Sequence, residues 1–152
     1  MVIDLKKLKF RGIRETDFRF DFPAEDSLIT LPFSSFAFPV TVEGRLTTGD
    51  GEVYAEGKIS YGISTRCSRC FEPVTYKKTV AFDEVFSENG ENKDAYPYYK
   101  ETVDLTDMVK DAVILSFPYS VLCGDNCKGL CPVCGINLNK EQCNCNNNER
   151  GE

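Results

Sequence analysis

The chain has 152 residues, the size of one ordinary domain, and a formal net charge of −6 at pH 7. This acidic balance argues against a protein that coats nucleic acid non-specifically. Histidine is absent, which excludes Ser-His and Cys-His nucleophile pairs and every zinc site with an imidazole ligand. No apolar run approaches the ~20 residues that span a bilayer, and residues 1–8 are charged rather than signal-like, so we expect a cytoplasmic protein without membrane contact.

The first predicted strand lies in the N-terminal part of the chain. Phe18, Phe20 and Phe22 alternate with charged residues, which is the period of a half-buried strand. Residues 28–31 are apolar enough to predict another short strand, and Pro32 would end it because proline cannot donate to a strand ladder.

The next region has the clearest pattern of the sequence. Alternating apolar positions at residues 36–47 and 52–65 flank a Thr-Gly-Asp-Gly turn at residues 48–51, which predicts a β-hairpin. A third alternating arm follows at residues 74–86. The C-x2-C pair Cys67 and Cys70 therefore lies at a hairpin tip, where two thiolates converge on one metal ion. This order predicts an antiparallel meander, curled into a barrel or half-barrel with the N-terminal strands.

An acidic stretch and a helix come next. Residues 87–102 are polar and acidic, with three tyrosines around Pro97, and predict a long loop. A helix is predicted over residues 104–117, with Asp104 as its cap and Pro118 as its stop, and its apolar stripe should pack against the sheet. The predicted fold class is α+β, mainly β: an antiparallel meander sheet or half-barrel, one C-terminal helix and a cysteine-rich lobe.

Cysteine dominates the rest of the chain. Six of the eight cysteines lie within residues 123–145, a segment with too few apolar residues to fold by burial alone. We predict a β-rich body at residues 1–119, a zinc-binding lobe at residues 120–145 and a disordered tail at residues 146–152. In a reducing cytosol C-x2-C pairs are more often metal sites than disulfides, so eight thiols predict about two Zn²⁺ ions per chain.

Sequence alone leaves the grouping of the eight predicted ligands open. One partition forms a local site from the last four cysteines, Cys131, Cys134, Cys143 and Cys145. It leaves the other four for a site that joins the hairpin to the segment after the helix, Cys67, Cys70, Cys123 and Cys127. An exchanged partition would pair Cys67 and Cys70 with Cys131 and Cys134. We favour the first partition because shorter loops close at lower entropic cost.

The role of zinc follows from its ligands. Closed four-sulfur sites favour a structural role, since a catalytic zinc keeps one position open for water or substrate. A thioredoxin-like role would place a C-x2-C pair at a helix start after a strand, whereas Cys67 and Cys70 lie between two strands. We therefore predict no enzymatic activity and no small-molecule substrate. The alternatives are a thiol-redox or zinc-dependent enzyme and a zinc-storage or zinc-sensing protein.

Several motifs together resemble the YceD family. They are Ile3-Asp-Leu-Lys-Lys-Leu8, Arg66-Cys-Ser-Arg-Cys-Phe-Glu-Pro73, Val103-Asp-Leu-Thr-Asp107 and Cys127-Lys-Gly-Leu-Cys-Pro-Val-Cys-Gly-Ile-Asn-Leu-Asn139. The proteins of this family are described as large ribosomal RNA subunit accumulation proteins. The resemblance implies a bacterial cytoplasmic factor that supports the synthesis, processing or stability of 23S ribosomal RNA, and it implies no known catalytic activity.

The uneven charge distribution suggests partners for such a factor. Residues 58–78 carry five basic residues and one acidic residue, whereas residues 82–107 carry eight acidic and two basic residues. The basic hairpin offers cations and aromatic rings to the phosphates and unpaired bases of ribosomal RNA in a pre-ribosomal particle. Its predicted contact residues are Arg66, Arg69, Phe71, Tyr76, Lys77 and Lys78. The acidic stretch indicates an alternative partner, a basic ribosomal protein.

Overall fold

A computed structural model describes residues 1–49 and 51–145. In that part of the chain it contains seven β-strands, two α-helices and one 3₁₀ turn. In chain order they are β1 (Val2–Asp4), α1 (Leu5–Phe10), β2 (Glu15–Phe22), the 3₁₀ turn (Asp26–Leu28), β3 (Ser35–Thr48), β4 (Glu52–Arg66), β5 (Pro73–Glu88), β6 (Tyr96–Tyr98), β7 (Thr102–Asp104) and α2 (Thr106–Leu115). The predicted tail at residues 146–152 and one residue of the predicted turn, Asp50, lie outside the described residues.

Four consecutive strands form the predicted meander. β2, β3, β4 and β5 each pair antiparallel with the next, and Val42, Ile59 and Val80 lie opposite one another across three of them. Because side chains alternate along a strand, one face of each strand contributes to a shared apolar core. The prediction of a mainly β fold built on an antiparallel meander is confirmed.

The sheet curls around a row of two glycines. Gly44 and Gly57 lie opposite each other on β3 and β4, and they are flanked by Phe18 on β2 and Phe82 on β5. The two phenylalanine rings stack with their centroids 6.5 Å apart, although the strands that carry them are separated by β3 and β4. Three intervals of about 4.8 Å separate the two strands, and the rings meet over the glycine row, where no side chain stands between them. The ladder order β2-β3-β4-β5-β6 is open.

The stretch predicted as a long loop is partly ordered by strand pairing. Within residues 87–102, β6 adds to the main sheet in parallel with β5, and Tyr98 on β6 is buried. Just after it, β7 pairs with β1 in a separate two-stranded sheet. Two backbone hydrogen bonds reinforce this small sheet, from Leu5 N to Glu101 O at 2.8 Å and from Leu105 N to Met1 O at 2.9 Å.

The short strand predicted at residues 28–31 is wrong. Residues Asp26–Leu28 form a 3₁₀ turn instead, and the Asp26 carboxylate accepts a hydrogen bond from Phe36 N at 2.8 Å. This contact folds the segment back towards β3. Ile29 and Leu31 are partly buried against the core, so their apolar character reflects packing without strand pairing.

The C-terminal helix is present, but it begins two residues later and ends two residues earlier than the predicted range 104–117. Asp104 belongs to β7, and its carboxylate accepts a hydrogen bond from Thr106 N at 2.9 Å. The buried side chains of α2 are Met108, Val109 and Val113, which face the sheet as expected. A second helix, α1, was not predicted. In the described part of the chain, no helix is long and apolar enough to cross a membrane.

Candidate metal centres and the knuckle surface

The first four-cysteine group joins the tip of the β4–β5 hairpin to the segment after α2. Its sulfur atoms all lie within 4.8 Å of one another and belong to Cys67, Cys70, Cys123 and Cys127. The Sγ atoms of Cys67 and Cys127 are 3.7 Å apart, and those of Cys70 and Cys123 are 3.5 Å apart. A tetrahedral Zn²⁺ with Zn–S bonds of about 2.3 Å holds its sulfurs about 3.8 Å apart, so this group fits zinc.

The second four-cysteine group is local to the C-terminal lobe. Its members are Cys131, Cys134, Cys143 and Cys145, and their sulfur atoms also lie within 4.8 Å of one another. Sγ of Cys143 lies 3.3 Å from that of Cys131 and 3.5 Å from that of Cys134. The structure thus brings together the two sets favoured by the loop-closure argument, and each set can hold a metal ion.

Two knuckles of the same construction present the C-x2-C pairs. The first knuckle spans residues 67–72 and the second knuckle spans residues 131–136. In the first, Phe71 N donates to Cys67 O at 3.0 Å and Cys67 N donates to Glu72 O at 2.8 Å. In the second, Gly135 N donates to Cys131 O at 2.9 Å and Cys131 N donates to Ile136 O at 2.8 Å. The same pair of backbone hydrogen bonds therefore closes both knuckles, so the two C-x2-C pairs are held by the same kind of turn.

Backbone donors prepare the first group for an ion. Burial raises the pKa of Cys67, but hydrogen bonds from the N–H groups of Arg69 and Cys70 outweigh it and lower the pKa to about 6. The neighbouring Cys70 side chain raises the pKa of Cys123 to about 12. Four neighbouring thiols do not all ionise together, because each thiolate repels the negative charge of the next. A divalent cation at their centre removes this opposition, as metal ligation requires thiolates.

The second group has the same electrostatic design. The N–H groups of Cys134 and Val133 lower the pKa of Cys131 to about 6. The Cys143 side chain raises the pKa of Cys145 to about 12. Lowered and raised thiol pKa values thus occur within one group of four sulfur atoms, because a thiolate at one position disfavours a second thiolate beside it. A bound cation would stabilise all four thiolates.

The first knuckle is anchored to the chain that follows α2. Ser68 N donates to Val121 O at 2.8 Å, and Val121 N donates back to Ser68 Oγ at 3.2 Å. Leu130 N donates to Arg69 O at 3.2 Å, which connects the knuckle to the lobe that carries the second group. The knuckle therefore has a defined orientation relative to both cysteine groups.

Three of the predicted contact residues lie together on the first knuckle. Arg66 Nη1 donates to Phe71 O at 3.1 Å, and Arg69 Nη1 donates to Cys127 O at 3.1 Å. The Phe71 side chain projects from the knuckle and is 52% exposed. Arg66, Arg69 and Phe71 therefore form one surface, which we call the knuckle surface.

The other three predicted contact residues separate onto the two faces of β5. Lys77 lies on the outer face, where its Nζ is 5.7 Å from the centre of the Phe38 ring. The pairing of β3 with β4 shifts register on both sides of Phe38, which lies opposite Gly62. The Phe38 ring is therefore on the outer face rather than in the core. Tyr76 and Lys78 point to the opposite face, and Tyr76 is half-buried against the core. They do not join the knuckle surface.

The sequence did not point to Phe33, which lies beside Phe71. Phe33 is 74% exposed, and the two rings meet edge to face with centroids 6.1 Å apart. Phe33 follows Pro32 in a stretch without periodicity, and its neighbour is far along the chain. No local pattern encodes this contact.

A second exposed surface was also missed, and it lies on α1. Residues 6–14 contain five cations and no carboxylate, and Phe10 among them is 94% exposed. Lys9 pairs with Glu101 at 3.0 Å. The signal was present in the sequence, since five basic residues in nine are unusual in an acidic chain.

These observations define a class of protein: a curled, mainly antiparallel β-sheet with one four-cysteine group at the tip of its central hairpin and a second four-cysteine group in the C-terminal lobe. The chain belongs to the YceD family, because the family described as "Large ribosomal RNA subunit accumulation protein YceD" matches residues 55–151. The matched range includes both cysteine groups and the knuckle surface. The family resemblance inferred from the motifs is confirmed.

Individual relatives match a part of the chain. An uncharacterized protein of Mycobacterium tuberculosis (strain ATCC 25618 / H37Rv) is 34% identical over 96 residues, which are 59% of this chain and 46% of that protein. "Large ribosomal RNA subunit accumulation protein YCED homolog 1, chloroplastic" of Arabidopsis thaliana is 35% identical over 60 residues, 40% of this chain and 19% of that protein. The chain thus spans about half the length, or less, of these relatives. No solved structure was found to match it.

Proposed function

We propose that the protein is a non-catalytic ribosome-biogenesis factor that supports accumulation of large-subunit (23S) ribosomal RNA in the bacterial cytoplasm. The observation that carries this proposal is the cationic and aromatic knuckle surface on a YceD-family chain. The family description and the name of the Arabidopsis relative both refer to large ribosomal RNA subunit accumulation. In this role the protein binds ribosomal RNA or a pre-ribosomal particle and holds an RNA segment in place.

Two zinc ions are the metals we propose for the cysteine groups. Each group offers four sulfur ligands, which complete a tetrahedral shell and leave no open position for water or substrate. When bound, zinc supplies folding free energy to a lobe that is poor in apolar side chains. The protein's own residues contribute the thiolates, and backbone N–H groups hold them in their charged form.

The charges around Phe71 suit an anionic partner. The guanidinium groups of Arg66 and Arg69 donate to carbonyl oxygens, so neither is neutralised by these contacts. Together they offset the formal charge of −2 that a four-thiolate zinc group carries. Glu72, the acidic residue of the first knuckle, accepts a hydrogen bond from Lys140 Nζ at 2.6 Å. Phosphate groups can therefore approach the knuckle without a net repulsion.

The basic surface of α1 extends the proposed RNA contact to the other end of the sheet. Thr48 N, at the end of β3, donates to Arg14 O at 2.8 Å, which places this surface near the start of β4. β4 has 15 residues and would span about 50 Å if it were straight. The first knuckle follows its far end. Cations at both ends fit a long polyanion such as ribosomal RNA.

Depletion of the protein tests the proposed function. In cells that lose the native protein, the ratio of mature 23S to 16S ribosomal RNA should fall, and wild-type chain expressed from a second copy should restore it. Quantitative electrophoresis of total RNA measures the ratio. An unchanged ratio, or an equal fall of both RNAs, would contradict a role specific to the large subunit.

Arginine variants test the proposed RNA contact. Arg66→Ala is expected to weaken RNA binding and to reduce the slope of log K against log salt by about 1, because one phosphate contact is lost. Filter binding to a 23S ribosomal RNA transcript at several salt concentrations measures the slope. Arg45→Ala is the matched control, since Arg45 is also exposed but is hydrogen-bonded to Asp17 on the outer sheet face. The same change of slope in both variants would contradict the contact.

A thiol-redox enzyme is the second candidate, and the low pKa of Cys67 and Cys131 is the observation that favours it. Cys67 is completely buried, however, and its thiolate would be occupied by zinc. We therefore expect the zinc-loaded protein to show no turnover in an insulin disulfide-reduction assay, with thioredoxin as the positive control. Sustained turnover with zinc retained would overturn the non-catalytic proposal.

A further inference from the structure

The first knuckle has a phenylalanine at a position where the second knuckle has a glycine. Phe71 and Gly135 each follow the second cysteine of a C-x2-C pair, and their N–H groups donate to the carbonyl of the first cysteine. Both adopt left-handed backbone conformations, with φ of 60° at Phe71 and 74° at Gly135. Glycine adopts this conformation freely, whereas a bulky side chain in it is an outlier.

Phe33 repeats the same exception beside it. Its φ is 56°, so two phenylalanines with strained backbones place their rings against each other on the surface. Neither ring is needed to fill the main core, since the exposed fractions are 74% for Phe33 and 52% for Phe71. Backbone strain of this kind concentrates at ligand-binding sites, where the surrounding structure holds it in place.

A small cavity opens next to the two rings. Its volume is about 210 Å³, and its lining includes Phe33, Phe71, Pro32, Val121 and Arg66. Pockets for ordinary small-molecule ligands are larger, about 300–1,000 Å³. The cavity therefore suits a single flat group better than a whole metabolite. The hydrogen bond from Arg66 Nη1 to Phe71 O holds a cation at its edge.

We propose that Phe33, Phe71 and Arg66 form a site for one unpaired nucleobase of single-stranded RNA. The base stacks on the exposed rings, and the Arg66 guanidinium binds the phosphate that flanks it. Proteins recognise single-stranded RNA by this combination of aromatic stacking and cationic backbone contacts. The proposal rests on the proposed function in taking RNA as the partner, and it adds the single-stranded form and the site.

The glycine comparison supplies a variant that separates binding from folding. Phe71→Gly places in the first knuckle the residue that the second knuckle uses at the same position. It relieves the backbone strain, so zinc content should stay at two ions per chain and the melting temperature should not fall. Affinity for a fluorescein-labelled ten-nucleotide single-stranded RNA should fall about 10- to 100-fold, because base–aromatic stacking is lost. Fluorescence anisotropy measures the affinity.

Two further variants and a second probe complete the experiment. Phe33→Ala should weaken binding of the same RNA with zinc content unchanged. Tyr99→Ala is the matched control, since Tyr99 is 56% exposed but lies in the acidic stretch, and its affinity should equal that of the wild type. A ten-base-pair RNA duplex should bind wild type and Phe71→Gly equally, because its bases are not available for stacking.

Several results would overturn the proposal. These are equal single-strand affinities in wild type and Phe71→Gly, equal losses on duplex and single strand, or a loss in Tyr99→Ala as large as in Phe71→Gly. The absence of any single-strand binding would do the same, and a 23S defect in Phe71→Gly cells would then point to a protein partner at this surface. If the stacking site fails these tests but depletion still lowers the ratio of mature 23S to 16S ribosomal RNA, the proposed ribosomal role stands. Base stacking without a depletion phenotype overturns only that role.

Discussion

Replacing Cys70 with serine is expected to reduce bound zinc from two ions to one per chain and to release the tip of the β4–β5 hairpin. Sγ of Cys70 lies 3.5 Å from that of Cys123, a residue 53 positions away in sequence. The proposed ion therefore joins two parts of the chain that have few apolar contacts of their own. Losing a structural metal ligand belongs to the most damaging class of substitution, so we expect a loss of about 4 kcal/mol or more in unfolding free energy.

Hydrogen exchange locates this loss. The Ser68 amide, which donates to Val121 O, should lose protection in Cys70→Ser, and elemental analysis should find one zinc ion fewer. Cys145→Ser is the matched control because it breaks the local group, whose sulfurs Cys131 and Cys143 are only 12 residues apart. It should also lose one ion but keep the Ser68 amide protected. Retention of two ions by Cys70→Ser, or equal loss of protection in both variants, would refute the division into two groups.

The main strands could be predicted because their burial follows a period of two. Val40, Val42 and Leu46 on β3 are buried, and the pattern of β4 continues to the residue before the first knuckle. The strand predicted at residues 28–31 was wrong because the apolar side chains Ile29 and Leu31 pack against the core without strand pairing. The parallel pairing of β6 with β5 depends on contacts across a loop, which periodicity does not report.

The candidate site was predictable to the extent that its chemistry is local. The C-x2-C spacing pointed to Cys67 and Cys70 as ligands, whereas choosing their partners required the distances to Cys123 and Cys127. The period of two already places Tyr76 on the same strand face as Val80 and Phe82, so its packing against the core follows from the alternation, and its choice as a contact residue overlooked this. The pairing of distant aromatic rings depends on backbone conformations that no residue preference encodes, since left-handed phenylalanine is rare.

Adding one methyl group at Gly57 is expected to be almost as damaging as losing a cysteine. A Cβ atom there would lie 2.6 Å from Gly44 Cα and 2.9 Å from Phe82 Cζ, both far inside van der Waals contact. It would also meet the carbonyl oxygen of Glu43, a backbone atom that cannot rotate away. Overpacking of this kind costs about 3 kcal/mol, which lowers the melting temperature of a chain this size by roughly 10 °C.

Gly124→Ala is the control for this prediction. A Cβ at Gly124 has no atom within 4 Å, so the melting temperature should stay close to that of the wild type. Zinc content should be two ions in both variants, because neither change replaces a ligand, and a Cβ at Gly124, although next to Cys123, meets no other atom within 4 Å. Calorimetry measures the difference. A melting temperature of Gly57→Ala equal to that of the control would mean that Phe18 and Phe82 can separate at little cost. The curl of the sheet would then be set by the bulges of β3 rather than by the glycine row.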